Sequence, residues 1–299
     1  MSYASRNDIE LCRRVHKKFG TTYYYATLRF PAKIRRRVHA IYGFVRIADE
    51  WVDNPGGLTL EQQRANLEDW RNQMVRGLAG ERPEHWAMRA FCDAVAECGI
   101  PVEEAHCFID AMIQDIDQAE YERYEDLRGY MRGSACAIGV MMCYAMDAPT
   151  DEDTMLRAKA LGEAMQLTNF LRDVGEDLRD RKRVYLPRED MERFGVSRAD
   201  LERGVVTPEI EALMKFEIDR ARELYRFSDT GTYRLPRRMR KAVLVARILY
   251  SEILGRIEAN RYNVFTKRAR TSKRQKLFCA ARVVADDERV LIHLVAHGR

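Results

Sequence analysis

In the stretch PAKIRRRVHAIYGFVRIADEWVD (31–53) apolar residues return every three or four positions, and LEQQRANLEDWRNQMVRGL (60–78) and LRAKALGEAMQLTNFLRDVGEDL (156–178) repeat that period. This is the spacing of an amphipathic helix. Strand-like alternation of β-branched and polar residues is almost absent. Pro31 suits a helix start, NPGG (54–57) a turn, GIP (99–101) a break between helices, and MDAPTDED (146–153) a break before a new N-terminus. No stretch reads as an interdomain linker, and no solenoid-type repeat occurs. The expectation is one all-α domain over residues 1–299, with roughly ten helices around a single core.

Two of these helical runs carry carboxylates where their neighbours are apolar. Asp49 and Asp53 stand four apart in RIADEWVD (46–53), with Glu50 between them, and Asp173 and Asp177 repeat the spacing. Like charges at that offset share a helix face and repel by a few tenths of a kcal/mol. In QLTNFLRDVGEDLRDRKRVYLP (166–187), Gln166, Asn169, Asp173 and Asp177 form one polar stripe, and Gly175 weakens the helix by about 1 kcal/mol relative to Ala. Oxygen ligands at this spacing suit Mg²⁺, which is commonly shared between one or two carboxylates and the phosphates of a substrate. With a pair on each of two facing helices, metal ions could hold a diphosphate and make it a leaving group. The competing reading of either pair alone is a solvated helix face.

Composition narrows the partners. The 299 residues include 51 Lys and Arg against 46 Asp and Glu, a formal charge of +5. That balance suits an anionic small substrate or a membrane surface and is too weak to imply nucleic acid. The seven cysteines (12, 92, 98, 107, 136, 143 and 279) show no CxxC and read as reduced core residues of a cytoplasmic protein. No signal-peptide block and no run near the roughly 18 apolar residues of a membrane span occurs, so membrane contact is expected to be peripheral. None of the six histidines has a metal-ligand spacing.

Taken with HKKFGTTYYYATLRFP (16–31), AIYGFVRIADEWVD (40–53), YMRGSACAIGVMM (130–142) and ARILYSEILGRIEANRYNVFTKRARTSKRQKL (246–277), the 166–187 block resembles the phytoene synthase and squalene synthase family of head-to-head prenyl transferases. The resemblance implies an all-α isoprenoid synthase fold with a central apolar cavity. It implies two or three Mg²⁺ ions, with Mn²⁺ as a substitute, held by Asp49, Asp53, Asn169, Asp173 and Asp177. Tyr42, Arg46, Gln166, Arg172, Tyr250 and Arg268 would contact substrate. Arg46 as a surface partner of Glu50, and Tyr42 as a core aromatic, are the alternatives. Where relatives carry a Ser-rich stretch this chain has FGTTYYYAT, so phosphate contacts fall to Thr21 or Thr22; YMRGSACAIG departs from the family pattern at Cys136 and Gly133.

The implied reaction joins two prenyl diphosphates through a cyclopropyl diphosphate. Thr27 and His39, in range of the tunnel end, are not bulky, which favours two geranylgeranyl diphosphates giving phytoene without NADPH. The alternatives are a C30 squalene or dehydrosqualene synthase using farnesyl diphosphate, and a non-catalytic prenyl-binding or scaffold protein. A chain elongase or terpene cyclase would carry DDxxD, which is missing. Further expectations are a monomer or weak homodimer, a peripheral membrane contact through the basic run 266–276, and a flap formed by 179–197.

Overall fold

The structure is a computed structural model that describes residues 2–269 and 271–297. Fifteen α-helices occur among those residues. The first six are α1 (Arg6–Phe19), α2 (Thr21–Thr27), α3 (Ala32–Asp53), α4 (Leu60–Leu78), α5 (Trp86–Cys98) and α6 (Val102–Asp117). There follow α7 (Tyr124–Met131), α8 (Ala137–Ala145), α9 (Glu152–Glu176), α10 (Arg188–Arg193) and α11 (Arg198–Glu202). The last four are α12 (Pro208–Asp229), α13 (Arg237–Ala259), α14 (Lys273–Ala285) and α15 (Asp287–His297). The count exceeds the ten expected because short helices fill the connections and a π-helical turn, Arg132–Cys136, separates α7 from α8. A second π turn, Asp177–Arg181, continues α9. No strand occurs among the described residues, only an isolated bridge between Glu120 and Val184.

The punctuation read from sequence sets these boundaries. Pro31 caps α3, and Gly99 closes α5 in the left-handed region. Asp151 caps α9 by accepting from the Thr154 amide at 3.1 Å, and Ser5 and Thr59 form capping boxes on α1 and α4. The cysteines are unpaired, five of them buried.

One contiguous core cluster draws side chains from Cys12 in α1 to Leu294 in α15, with Phe44 stacked on Phe91 at 3.8 Å. At its centre α9 packs on α8, α12 and α13. A fully buried ion pair, in which Nε and Nη2 of Arg247 donate to the two carboxylate oxygens of Asp229 at 2.7 Å each, locks α13 to α12. A second apolar cluster, including Phe30, Val38, Met146, Leu235 and Ala242, gathers where α3, α9 and α13 begin. The space between the two clusters is the cavity.

Candidate active site

A cavity of about 670 Å³ runs between α3, α8, α9 and α13. On α3 its lining residues are Val38, Ile41, Tyr42, Val45, Arg46, Asp49 and Asp53, every one three or four positions from the next or beside it. On α9 the same stripe runs from Thr154 through Ala158, Leu161, Met165, Asn169 and Asp173 to Asp177. Each helix therefore shows one face to the cavity, apolar in the middle and acidic at its C-terminal end. The two acidic ends meet, as the repeated aspartate spacing implied.

Around them the charges interleave. Arg46 pairs with both Asp49 and Glu50 on its own helix and lies 4.4 Å over the Phe19 ring. Arg172 and Arg268 reach Asp173 at 2.5 and 2.8 Å, and Arg268 also meets Glu176 at 3.1 Å. Arg181 bridges Asp177 at 2.5 Å and Asp53 at 3.3 Å, tying the second motif to the first. Even so, burial, followed by the Asp53 charge, pushes the Asp49 carboxyl up to about 7. Burial raises Asp177 to about 7 despite Arg181. These carboxyls lack a stronger counter-charge than the arginines supply.

Gly175 has a clear reason to interrupt α9. A Cβ there would lie 2.7 Å from the Phe265 Cα and 2.8 Å from the Val264 carbonyl oxygen, so only glycine lets that backbone cross the helix. Arg179 anchors the crossing by donating to the Phe265 carbonyl at 2.9 Å. The crossing places Arg268, three residues later, against Asp173. Tyr250 is buried at the cavity wall with its ring 4.7 Å from that of Tyr23.

Most residues singled out in the sequence line this cavity: Tyr42, Arg46, Asp49, Asp53, Gln166, Asn169, Arg172, Asp173, Asp177, Tyr250, Arg268 and Thr27. Thr27 spends its hydroxyl on the Tyr23 carbonyl at 2.8 Å. Three do not line it. On α2 the cavity face passes through Tyr23, Ala26 and Thr27, which leaves Thr21 and Thr22 off that face; Thr21 is exposed and accepts from Lys276 Nζ at 3.4 Å. His39 lies behind the wall, its Nδ1 3.0 Å from Nδ1 of His16, which does line the cavity. Burial keeps both rings neutral, at about 4 and about 3.

Other members were not singled out. Asp115 continues the cavity stripe of Phe108 and Met112 on α6, a spacing visible in FIDAMIQD (108–115). It accepts from the Tyr185 hydroxyl at 3.0 Å and pairs with Arg183 at 3.0 Å, and burial lifts it to about 6. Arg183 also meets Asp53 at 3.3 Å. Arg181, Arg183 and Tyr185 belong to the segment expected as a flap. That segment is tied down, with the Val184 amide donating to Ala119 and the Arg188 amide to Tyr121 at 2.8 and 2.9 Å.

The donor set suits a hard cation. Among the described residues no three His, Cys, Asp or Glu side chains form a ready-made metal cage. The carboxylates sit on two helices, as in sites that substrate phosphates complete. Asn169 Oδ1 is buried and unpartnered while its Nδ2 donates to Gln166 at 3.2 Å, so an amide oxygen stands free beside Asp173. An orphaned oxygen of this kind asks for a ligand.

Comparison with known proteins identifies the family. The family described as Squalene/phytoene synthase matches residues 16–275. A 15-cis-phytoene synthase of Synechocystis sp. is 37% identical over 279 residues, covering 90% of this chain and 82% of that protein. One of Synechococcus elongatus is 36% identical over 90% of this chain and 89% of its own. Among solved structures, a dehydrosqualene synthase in complex with ligand superposes with a TM-score of 0.87 at 27% identity, covering 95% and 98% of the two chains. A squalene synthase from Alicyclobacillus acidocaldarius gives 0.78 at 27%, covering 86% and 95%.

Proposed function

The chain belongs to the squalene/phytoene synthase family, and on that premise we propose that it joins two geranylgeranyl diphosphates head to head to give phytoene, through a cyclopropyl diphosphate. The observation that carries this is an apolar cavity with Asp49, Asp53, Asp173 and Asp177 converging at one end. The relatives named 15-cis-phytoene synthase support the C20 substrate.

Asp49, Asp53, Asn169, Asp173 and Asp177 would hold the metal. Bound Mg²⁺, two or three ions, or Mn²⁺ in its place, neutralises diphosphate as a leaving group. Arg46, Arg172 and Arg268 are positioned to exchange a carboxylate for a phosphate oxygen, to which a guanidinium binds bidentately. Tyr42, Gln166 and Tyr250 complete the wall at the diphosphate end. The apolar stripes of α3, α8 and α9 exclude water from a cation formed beneath them. Residues 1–299 act as one domain, a reading supported by the shared core from α1 to α15.

The test is direct competition between C15 and C20 diphosphates with Mg²⁺ and no NADPH. A C40 hydrocarbon is expected; a dominant C30 product overturns the C20 assignment. The C30 alternative has its own support in the dehydrosqualene and squalene synthase neighbours. A scaffold role predicts unchanged biological activity in Asp49→Asn, whereas the enzyme reading predicts its loss with helical circular dichroism intact.

No helix among the described residues is long and apolar enough to cross a membrane. Peripheral contact is supported at α14, where Leu277 and Phe278 are 65% and 72% exposed beside Arg274. Within the basic run, Arg270 lies outside the described residues. Co-sedimentation with anionic vesicles, lost in high salt, is expected. The proposed solution state is a monomer or weak homodimer, which sedimentation velocity checks.

A further inference from the structure

The cavity face of α9 is long and graded. From Asp173 back to Arg157 is sixteen residues, about 24 Å at 1.5 Å per residue. Bonds of about 1.5 Å advance an extended carbon chain by about 1.25 Å each. The main chain of a geranylgeranyl group, sixteen of its twenty carbons, therefore spans about 20 Å, and that of a farnesyl group, twelve of fifteen, about 15 Å. Allowing a few Å for the diphosphate below Asp173, the C20 chain ends at Arg157. The C15 chain ends near Leu161, one turn short. One isoprene unit, about 5 Å, matches one turn of helix.

Arg157 is built as a stop. It lines the cavity, yet its side chain is 22% exposed, so it stands between the tunnel and water. Its Nε donates to Asp153 at 3.0 Å, its Nη1 to the Phe227 carbonyl at 2.9 Å and also to Thr230 Oγ1, while the guanidinium covers the Phe227 ring at 4.8 Å. The stem crosses Gly231, where a Cβ would come within 2.6 Å of Arg157 Cδ. Four attachments hold a charged side chain across an apolar tunnel, leaving one turn of α9, at Thr154, to line the cavity beyond it. Neither metal nor diphosphate chemistry at the far end of α9 requires one there.

We propose that the α9 face is a ruler and that Arg157, clamped over Gly231 by Asp153, Phe227 and Thr230, is the end stop that limits the prenyl chain to four isoprene units. The inference rests on the prenyl-condensing reading above and adds the residue that sets chain length. Truncating Arg157 opens the last turn towards solvent and admits a fifth unit. Filling the last turn from Ala158, which also lines the cavity, removes room for the fourth.

The test is competition among C15, C20 and C25 prenyl diphosphates with Mg²⁺, products being counted by mass, for the wild type, Arg157→Ala and Ala158→Phe. Arg157→Ala is expected to raise C25 over C20 incorporation about tenfold, and Ala158→Phe to lower C20 over C15 about tenfold, the scale on which an apolar pocket discriminates by size. Ratios within about twofold of wild type, in proteins that melt as the wild type does, overturn the ruler. If Arg157→Ala does not fold, Ala158→Phe decides alone, an unmoved C20-to-C15 ratio again overturning it. A wild type that turns over none of the three substrates overturns the prenyl-condensing reading itself, a result distinct from an active enzyme with unmoved ratios.

Discussion

α3 and α9 bring the same chemistry to the cavity by different means. On α3 the charge partners are local: Arg46 meets Asp49 and Glu50 within one turn. On α9 only Arg172 is local, while Arg181 comes from the π turn and Arg268 from a loop that must cross the helix at Gly175. A site half can thus be written into a single helix or assembled by tertiary packing, and the second kind depends on backbone fit far from any charged atom.

The strongest challenge to this comparison is to remove one ligand from each side. Asp49→Asn and Asp173→Asn are each expected to lower kcat about a thousandfold, the upper range for a lost electrostatic stabiliser. If the halves act as a unit, the double variant is hardly worse than either single one, as steady-state kinetics will read. Additive losses would separate the helices.

The assembled half should break where the local one has no counterpart. Gly175→Ala ought to gain about 1 kcal/mol of helix propensity, yet the clash with the Val264–Phe265 backbone should cost about 1–3 kcal/mol. A lower melting temperature and a raised KM, from displacement of Arg268, are expected; a stabilised variant would show that the crossing backbone adapts.

The pH dependence sharpens the symmetry. Burial raises the carboxyls of Asp49 on α3 and Asp177 after α9 towards neutrality in the absence of metal, so whatever proton each carries must be lost to bind a cation. Mg²⁺ affinity, measured by calorimetry with a substrate analogue, should be flat above about pH 8 and fall by up to about tenfold per group per pH unit below 6. Proton release on metal binding at pH 7 should fall in Asp49→Asn and in Asp177→Asn alike. The smallest effect belongs to Glu50→Gln, which removes a partly exposed partner of Arg46 and should cost under about 1 kcal/mol of stability in denaturant titration.

The stripes of α3 and α9 were legible in sequence because a helix converts spacing into a face without help from the rest of the chain. Asp49, Asp53, Asn169, Asp173 and Asp177 all follow that rule. Thr21 and Thr22 missed the cavity because α2 begins at Thr21 and its phase turns Tyr23 and Thr27 inward instead. His39 was one layer too deep, since His16 from α1 stands in front of it. Asp115 had a readable signal in its phase with Phe108 and Met112. Arg181, Arg183 and Tyr185 had none, because a left-handed turn at Lys182 and the Glu120–Val184 bridge aim them. Gly175 could be flagged as a local cost, but its cause lies ninety residues away in sequence.

Both acidic motifs lie in the last turns of their helices, α3 ending at Asp53 and α9 running into the π turn after Glu176, with no basic residue in either last turn. The C-terminal end of a helix carries a partial negative charge from its aligned peptide dipoles. The backbone therefore adds to the aspartates' field and makes this end of the cavity hostile to a naked anion. Diphosphate would be held there only with its charge neutralised by bound cations, and once those cations left, the same field would favour its departure.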